Sequence, residues 1–355
     1  MSASAISANT FSYYTAVTSA TGDALHKGGA FQDIIKKATP TLDRIGKKGK
    51  INEDGGRQVA INLLYSNDTN VNSYGELEEL DTSRSDGMTT VFDKWCLYHF
   101  GVSFSGTEMA TNKGKAQIAN LVKARYAQHM QSATERLSND IWQLGTTASV
   151  ATGNGDKNIK SIPMVVPAFE TSSSVRDIDL YGIDTTANDY WQPKLKDFAD
   201  SATAQGLLDG LRWLAIEVTK AGKGKADLCP MDYQTYNLYI GALDTKVRYT
   251  NTKSADTGFE SVDCYGADAY PEMYVPDTEG GYNWDSSSWA NGSAYFLNTN
   301  HLWFRTLSGR DWKPEGAIRP HNQDAVVNNH FFQGQFGCDA RDCHGLAFDI
   351  PSSLT

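Results

Sequence analysis

The chain has 355 residues, with 32 Lys and Arg against 42 Asp and Glu, a formal net charge of -10 and 40% hydrophobic residues. That length exceeds the usual size of one compact domain, so two structural units are expected, each able to bury its own core. The acidic balance disfavours tight, sequence-specific nucleic-acid binding, whose affinity comes from lysine and arginine displacing counterions, and leaves room only for weak non-specific contact. No apolar run approaches the ~18 residues of a membrane-spanning helix. The opening "MSASAISANT" lacks the basic start and apolar stretch of a secretory signal, so a cytoplasmic product with no membrane partner is expected. Five scattered cysteines (Cys96, Cys229, Cys264, Cys338, Cys343) in so long a chain read as reduced, buried thiols.

Residues 1 to 26 are rich in Ser, Thr and Ala, and six lysines follow between Lys27 and Lys50, which predicts a basic arm with one short helix before Pro40. The stretch from Arg57 to Met109 opens and closes on apolar, β-rich runs, "QVAINLLY" and "TVFDKWCLYHFGVSFSG", around a polar middle dense in Asn, Asp, Ser and Gly. That pattern predicts a long two-stranded excursion with an exposed tip. Next, Ile118, Leu121, Val122, Tyr126, Met130, Leu137, Ile141 and Leu144 recur mostly at three- and four-residue steps with no proline between them. They predict one helix over 112 to 145, about 50 Å long at about 1.5 Å per residue. A turn-rich connection leads to "SATAQGLLDGLRWLAIEVTKAGKGK", a second amphipathic helix with a Ser or Thr cap, and "ADLCPMDYQTYNLYIGAL" reads as a buried strand and a third helix. Beyond Arg248 the chain turns β-like, with "SAYFLNTNHLWFRTL", "DAVVNNHFFQGQFG" and "LAFDI" as strands.

Each catalytic pattern was weighed against the spacing its chemistry needs. "GVSFSG" has Ser105 where a nucleophile elbow around Ser103 requires glycine, and no glycine-rich phosphate loop is complete. "DIDLYGIDTTAN" places Asp177, Asp179 and Gly182 like a calcium loop, but Tyr181 stands at a ligand position and Asn188 replaces the bidentate glutamate. "CDARDCH" offers Cys338, Cys343 and His344 with no second ligand pair, so packing is the better reading than zinc. The aromatic segment from Tyr265 to Trp312 holds Trp284, Trp289, Trp303 and Trp312 beside Asp268, Glu272, Asp277, Glu279 and Asp285. It makes carbohydrate binding or cleavage the alternative reading, against core or interface packing for the same tryptophans. A polar hairpin of roughly 50 residues cannot be stable by folding on itself, which points to an assembly protein whose extended parts rest on neighbours.

The run "VFDKWCLYHFGVSFSGTEMATNKGKAQIANLVKARYAQHMQSATERLSNDIWQLGTT", with its "SG-x-E" turn, resembles the passage from excursion loop to spine helix in the major capsid proteins of tailed bacteriophages. "KADLCPMDYQTYNLYIGAL", "SAYFLNTNHLWFRT" and "GQFGCDARDCHGLAFD" are similar to that family's axial strand and helix, late strand and closing segment. The resemblance covers about residues 28 to 349 and rests on order and texture. It implies an α+β capsid fold, shared with the herpesvirus capsid floor. Its implied parts are an N-terminal arm (1–50), an extended hairpin loop and return strand (51–110, tip about 66–86), a peripheral domain with the spine helix (111–195), an axial domain (196–320) and a return to the peripheral domain (321–355). The implied function is self-assembly of hexamers and pentamers into an icosahedral shell around double-stranded DNA, in a virion assembled in the host cytoplasm. Scaffold, portal and cement proteins are the further implied partners, and no cofactor, metal or catalytic residue is implied. Inter-subunit contacts are expected from Tyr65, Tyr74, Glu76, Glu78, Glu79, Asp81 and Arg84 in the loop and from Lys36, Lys37, Lys47 and Lys48 in the arm. The covalent cross-link of some relatives is not carried over, because nothing marks a partner for Lys94. "CDARDCHG" is expected as the turn closing the wall, with His344 facing a neighbour or solvent.

Overall fold

The computed structural model describes residues 40–64, 73–77, 87–111, 115–142, 157–166, 180–183, 188–198, 203–220, 222–243, 262–275 and 292–353. Helix α1 (Pro40–Gly49) begins at a proline, whose missing N–H costs nothing in a first turn, and buries Leu42 and Ile45. The short helix expected before Pro40 lies outside the described residues. A Cβ on Gly49 would collide with the Leu302 carbonyl, so glycine lets the helix end abut the neighbouring strand. Strand β1 (Lys50–Glu53) follows directly, then β2 (Gln58–Leu64), β3 (Met88–Lys94) and β4 (Cys96–Ser105). The run expected as one strand from Thr90 to Gly106 thus breaks at Trp95: β3 pairs with β2 in a hairpin, and β4 enters another sheet.

Helix α2 (Gly106–Thr111) leads to the long helix α3 (Lys115–Trp142), 28 residues against the expected span of 112 to 145. It buries Tyr126, Met130, Leu137, Ile141 and Trp142. The short α4 (Ile162–Val165) and strand β5 (Lys194–Asp197) precede α5 (Ala204–Lys220), whose Thr203 hydroxyl accepts the Gly206 N–H at 3.0 Å, the expected cap. Then come β6 (Leu228–Met231), α6 (Tyr233–Leu243), β7 (Val262–Cys264), β8 (Ala267–Pro271), β9 (Gly292–Phe296), β10 (Leu302–Ile318), β11 (Ala325–Cys338) and β12 (Gly345–Ile350).

Two main sheets result. The four-stranded sheet, labelled the wall sheet for reference alone, has the order β1-β10-β11-β4, and the six-stranded sheet, labelled the axial sheet in the same way, β5-β12-β9-β6-β8-β7. Alternation decides which side each axial strand serves. Cys229, Met231, Ala269, Ala294, Phe296 and Ala347 face α5 and α6 in one core. Their neighbours Leu228, Tyr270, Tyr295, Leu346 and Phe348 join Trp142 and the wall residues in the other. The sheets cut the chain differently from the segments expected from sequence. Strand β10, expected mostly within an axial segment 196–320, pairs with β11 in the wall, and β12, expected in the wall, lies between β5 and β9. The reason is that the chain crosses between sheets twice late on, at residues 297–301 and 339–344, and no local pattern marks a change of sheet.

Candidate inter-subunit surfaces

The hairpin β2–β3 is held at its base. The Arg305 guanidinium donates to Glu53 Oε1 at 2.7 Å and to the Ala60 carbonyl at 2.9 Å. Gln335 Nε2 donates to the Lys94 carbonyl at 3.0 Å, and Lys160 Nζ donates to the buried Asp93 carboxylate at 2.7 Å. Trp95 Nε1 closes the base by donating to the Gly56 carbonyl at 3.1 Å. Charge-assisted bonds from β10 and the 157–166 segment, with the neutral amide bond from β11, therefore fix the hairpin's direction at its base.

Its two faces differ from the polar ribbon expected. Val59, Ile61 and Leu63 point inward and belong to the larger core. On the opposite face the register pairs Ala60 with Phe92 and Leu64 with Met88. Leu64, Met88 and Phe92 are 66%, 75% and 61% exposed, so two apolar rungs, with the polar pair Asn62 and Thr90 between them, face outward from the single chain. Apolar residues on both faces are the mark of a strand covered on both sides. The signal lay in "QVAINLL" itself, where Leu63 and Leu64 cannot share one face. At the described part of the tip, Tyr74, Glu76 and Leu77 are exposed. Tyr65, Glu78, Glu79, Asp81 and Arg84 lie outside the described residues.

The "SG-x-E" turn has a physical cause. Ser105 Oγ accepts the Thr107 N–H at 3.2 Å, and Glu108 reaches back to accept the Ser105 N–H at 3.2 Å, the reciprocal capping of a helix start. Arg125 of α3 bonds the same Glu108 carboxylate and the Ser103 carbonyl. These bonds hold the Glu108 carboxyl below the usual carboxylate range, the Ser105 N–H first and Arg125 second. Strand β4, α2 and α3 are thereby tied at one corner.

In the arm region, Lys47 pairs with Asp43 one turn back at 2.9 Å, and Lys48 reaches Asp227 at 2.6 Å. Both are engaged within the chain, Lys48 fastening α1 to the axial sheet; Lys36 and Lys37 lie outside the described residues. Arg44 adds a 3.0 Å pair to Asp268. Beneath the first turn, Glu272 accepts the Thr41 hydroxyl at 2.8 Å and the Thr41 N–H at 3.3 Å. Burial raises the Glu272 carboxyl to about 7, only partly offset by Thr41. A carboxyl raised from 4.5 stabilises the fold fully below 4.5 and loses that contribution as pH climbs through 7. Glu272→Gln should therefore gain roughly 3 kcal/mol relative to the parent between pH 4.5 and 8, read by urea unfolding across that range.

The cysteine-rich turn is built for packing. Cys338 and Cys343 are both buried and free, and burial pushes the Cys338 thiol up to about 12. His344, expected to face a neighbour or solvent, is instead fully buried; its Nδ1 accepts the Asn298 N–H at 3.2 Å, and burial lowers it to about 3. The turn is pinned by Arg341, also fully buried, whose Nε donates to the Val165 carbonyl at 2.8 Å at the end of α4. Among the described residues no group of three His, Cys, Asp or Glu could hold a metal ion. Tyr181 and Gly182 of the calcium-like stretch form a left-handed turn, with the Tyr181 hydroxyl accepting the Cys338 N–H at 3.2 Å. Asp177 and Asp179 lie outside the described residues. Of the aromatic segment, Trp303 and Trp312 are core residues, and Asp268 and Glu272 are taken up by α1. Trp284, Trp289, Asp277, Glu279 and Asp285 lie outside the described residues.

No protein-family model and no curated protein matches the sequence. Solved structures do match its fold. The chain is similar to one in the capsid asymmetric unit of cyanophage A-1(L), with a TM-score of 0.60 at 11% identity over 88% of this chain and 94% of that one. It is also similar to a chain of the holo-SrpI encapsulin complex from Synechococcus elongatus PCC 7942, with a TM-score of 0.54 at 8% identity over 88% and 89% of the two chains. The capsid of a native GTA particle follows, with a TM-score of 0.52 at 9% identity over 88% and 91%. The chain has the α+β fold of these shell-building proteins, from arm helix to closing strand.

Proposed function

We propose that the protein is a major capsid protein that assembles into an icosahedral shell around a phage double-stranded DNA genome, doing its work through interfaces rather than catalysis. The observation that carries this reading is a hairpin clamped at its base by Arg305, Gln335 and Lys160 that presents Ala60, Leu64, Met88 and Phe92 to solvent, within a capsid fold. Exposed apolar rungs of this kind mark an interaction surface, and a neighbouring copy in a shell would cover them. The hairpin would then clasp the next subunit, with Tyr74 and Glu76 near its tip. Hexamers and pentamers, scaffold, portal and cement partners, and loose contact with packaged DNA belong to the same reading.

Negative-stain micrographs of the purified chain, with a co-expressed scaffold where needed, are expected to show closed shells that protect DNA from nuclease. The double substitution Met88→Asp and Phe92→Asp should leave thermal unfolding within about 1 kcal/mol of the parent, since both side chains are exposed, and should abolish shells. Normal shells from the double variant would remove the clasping role. Shells holding protein and no DNA would replace genome enclosure by another cargo.

A further inference from the structure

The two crossings between the sheets run side by side, and one side chain spans them. Residues 297–301 lead from β9 to β10, residues 339–344 from β11 to β12, and the Asp339 N–H donates to the His301 carbonyl at 3.2 Å. A third segment, just before β6, closes on both: the Asp227 N–H donates to the Leu297 carbonyl at 2.9 Å, Asn298 Nδ2 to the Lys223 carbonyl at 3.1 Å, and Lys223 Nζ to Asp342 at 2.7 Å. The His301 ring sits among them with Nδ1 3.0 Å from Asp339 Oδ1 and Nε2 3.1 Å from the Lys223 carbonyl.

Both of those partners are acceptors. A carbonyl oxygen cannot donate and a carboxylate does not, so each ring nitrogen must carry a proton for both bonds to exist. Only the imidazolium satisfies that geometry; either neutral tautomer loses one of the two ring bonds, and with it part of the tie to Asp339 or to Lys223. We propose that His301 is a proton-operated lock on the junction between the wall and axial sheets, closed as the imidazolium and loosened as the neutral ring. The side chain is 25% exposed, so its proton exchanges with solvent while the ring stays in place.

The surrounding charges set the sign. Asp339 lies against the ring, with Asp342 and Asp227 further along the same cluster, while Lys223, Lys48, Arg341 and the neutral, buried His344 complete it. The hydrogen bond to Asp339 is the main influence and raises the His301 pKa above 6.5, against a smaller lowering by burial. A histidine raised in the fold contributes fully below 6.5 and loses its contribution as pH rises through the raised value. The lock is thus closed below 6.5 and opens as pH rises through the raised value.

Hydrogen exchange by mass spectrometry on the full chain tests this, with rates corrected for the chemical effect of pH. Peptides covering 297–301 and 339–344 should lose protection about tenfold between about pH 6 and about pH 8.5, while peptides of the β11 interior do not. His301→Gln should give low protection at both pH values, and His301→Lys, which keeps its charge, high protection at both. The same pH profile in the parent and in His301→Gln overturns the lock. Where a variant fails to fold, histidine-selective NMR of the parent decides instead: titration of His301 above 6.5, returned towards 6.5 in Asp339→Asn, supports the lock, and titration below 6.5 overturns it.

Discussion

Acidification from pH 6.5 to 4 is expected to cost the folded chain about 3 kcal/mol at His330 alone. The ring lies between β11 and α3, stacked on Phe100 at 4.7 Å and met edge-on by Tyr126 at 4.8 Å. Its Nδ1 faces the Tyr126 hydroxyl at 3.2 Å, and its Nε2 is buried with no hydrogen-bond partner among the described residues. Burial lowers its pKa from 6.5 to about 4, because a charge in that aromatic slot sheds its water and a backbone bond at Asn328 offsets only part of the cost. A base depressed in the fold stabilises fully above 6.5 and loses its contribution as pH falls towards 4. His344 acts in the same direction, lower still. The loss in urea midpoint between pH 7 and 4.5 should therefore be smaller in His330→Phe than in the parent by about the His330 share, while the loss at His344 and the opposing gain at Glu272 remain in both. An unchanged acid slope in that variant would sink the assignment. Because His330 joins the wall sheet to α3, the loss should appear first as separation of those two elements.

Trp312→Ala should destabilise the fold by about 3 to 5 kcal/mol, the usual cost of emptying a large aromatic site in a core. The ring stacks on Phe332 at 5.0 Å and leans on Phe100 at 5.4 Å, so it is the third layer of the same aromatic wall that holds His330. It gets there through strain. Strand β10 shifts register around Asp311 and Lys313, and Trp312 itself takes a left-handed backbone, φ 51. That conformation costs a residue with a Cβ about 1 kcal/mol, repaid by the buried indole. Trp312→Gly should consequently be less damaging than Trp312→Ala by about 1 kcal/mol, an inversion of the usual order for a strand. The same experiment separates the capsid reading from a sugar-stacking one: an exposed platform would leave stability unchanged on truncation. Chemical denaturation of the three proteins is enough to decide.

Both results concern residues whose surroundings lie far away in sequence. Trp312 reads from sequence as a core or interface residue more readily than as a ligand platform, but its partners Phe100 and Phe332, respectively 212 and 20 positions distant, are not legible there. His344 followed a turn signal and was expected at the surface, but Asn298 and the end of β9 cover it. The hairpin was legible as a long excursion between two β-rich runs, and its need for a neighbour followed from its small core. Its apolar outer rungs were not singled out, since which of Leu63 and Leu64 faces the core depends on the register against Thr89 and Met88. The arm lysines carried charge without direction: Lys48 finds Asp227, 179 residues away.

What local chemistry encodes, the residues carry openly. The three- and four-residue steps from Tyr126 to Ile141 make a helix anywhere, Thr203 caps one, Ser105 and Glu108 start one, and the alternation of Val326, Asn328, His330 and Phe332 makes a strand with one buried side. The order of such elements was enough to suggest the capsid fold. Which sheet each strand joins was not encoded locally. Strand β1 lies beside β10 in a register pairing Lys50 with Phe304, and β12 pairs with β5 and β9 after a turn in which Arg341 and His344 find buried partners at Val165 and Asn298. Periodicity records the geometry of a single segment, whereas pairing, burial and protonation depend on groups brought together by the whole chain, and it is those that place the apolar rungs, the lock at His301 and the acid-sensitive wall.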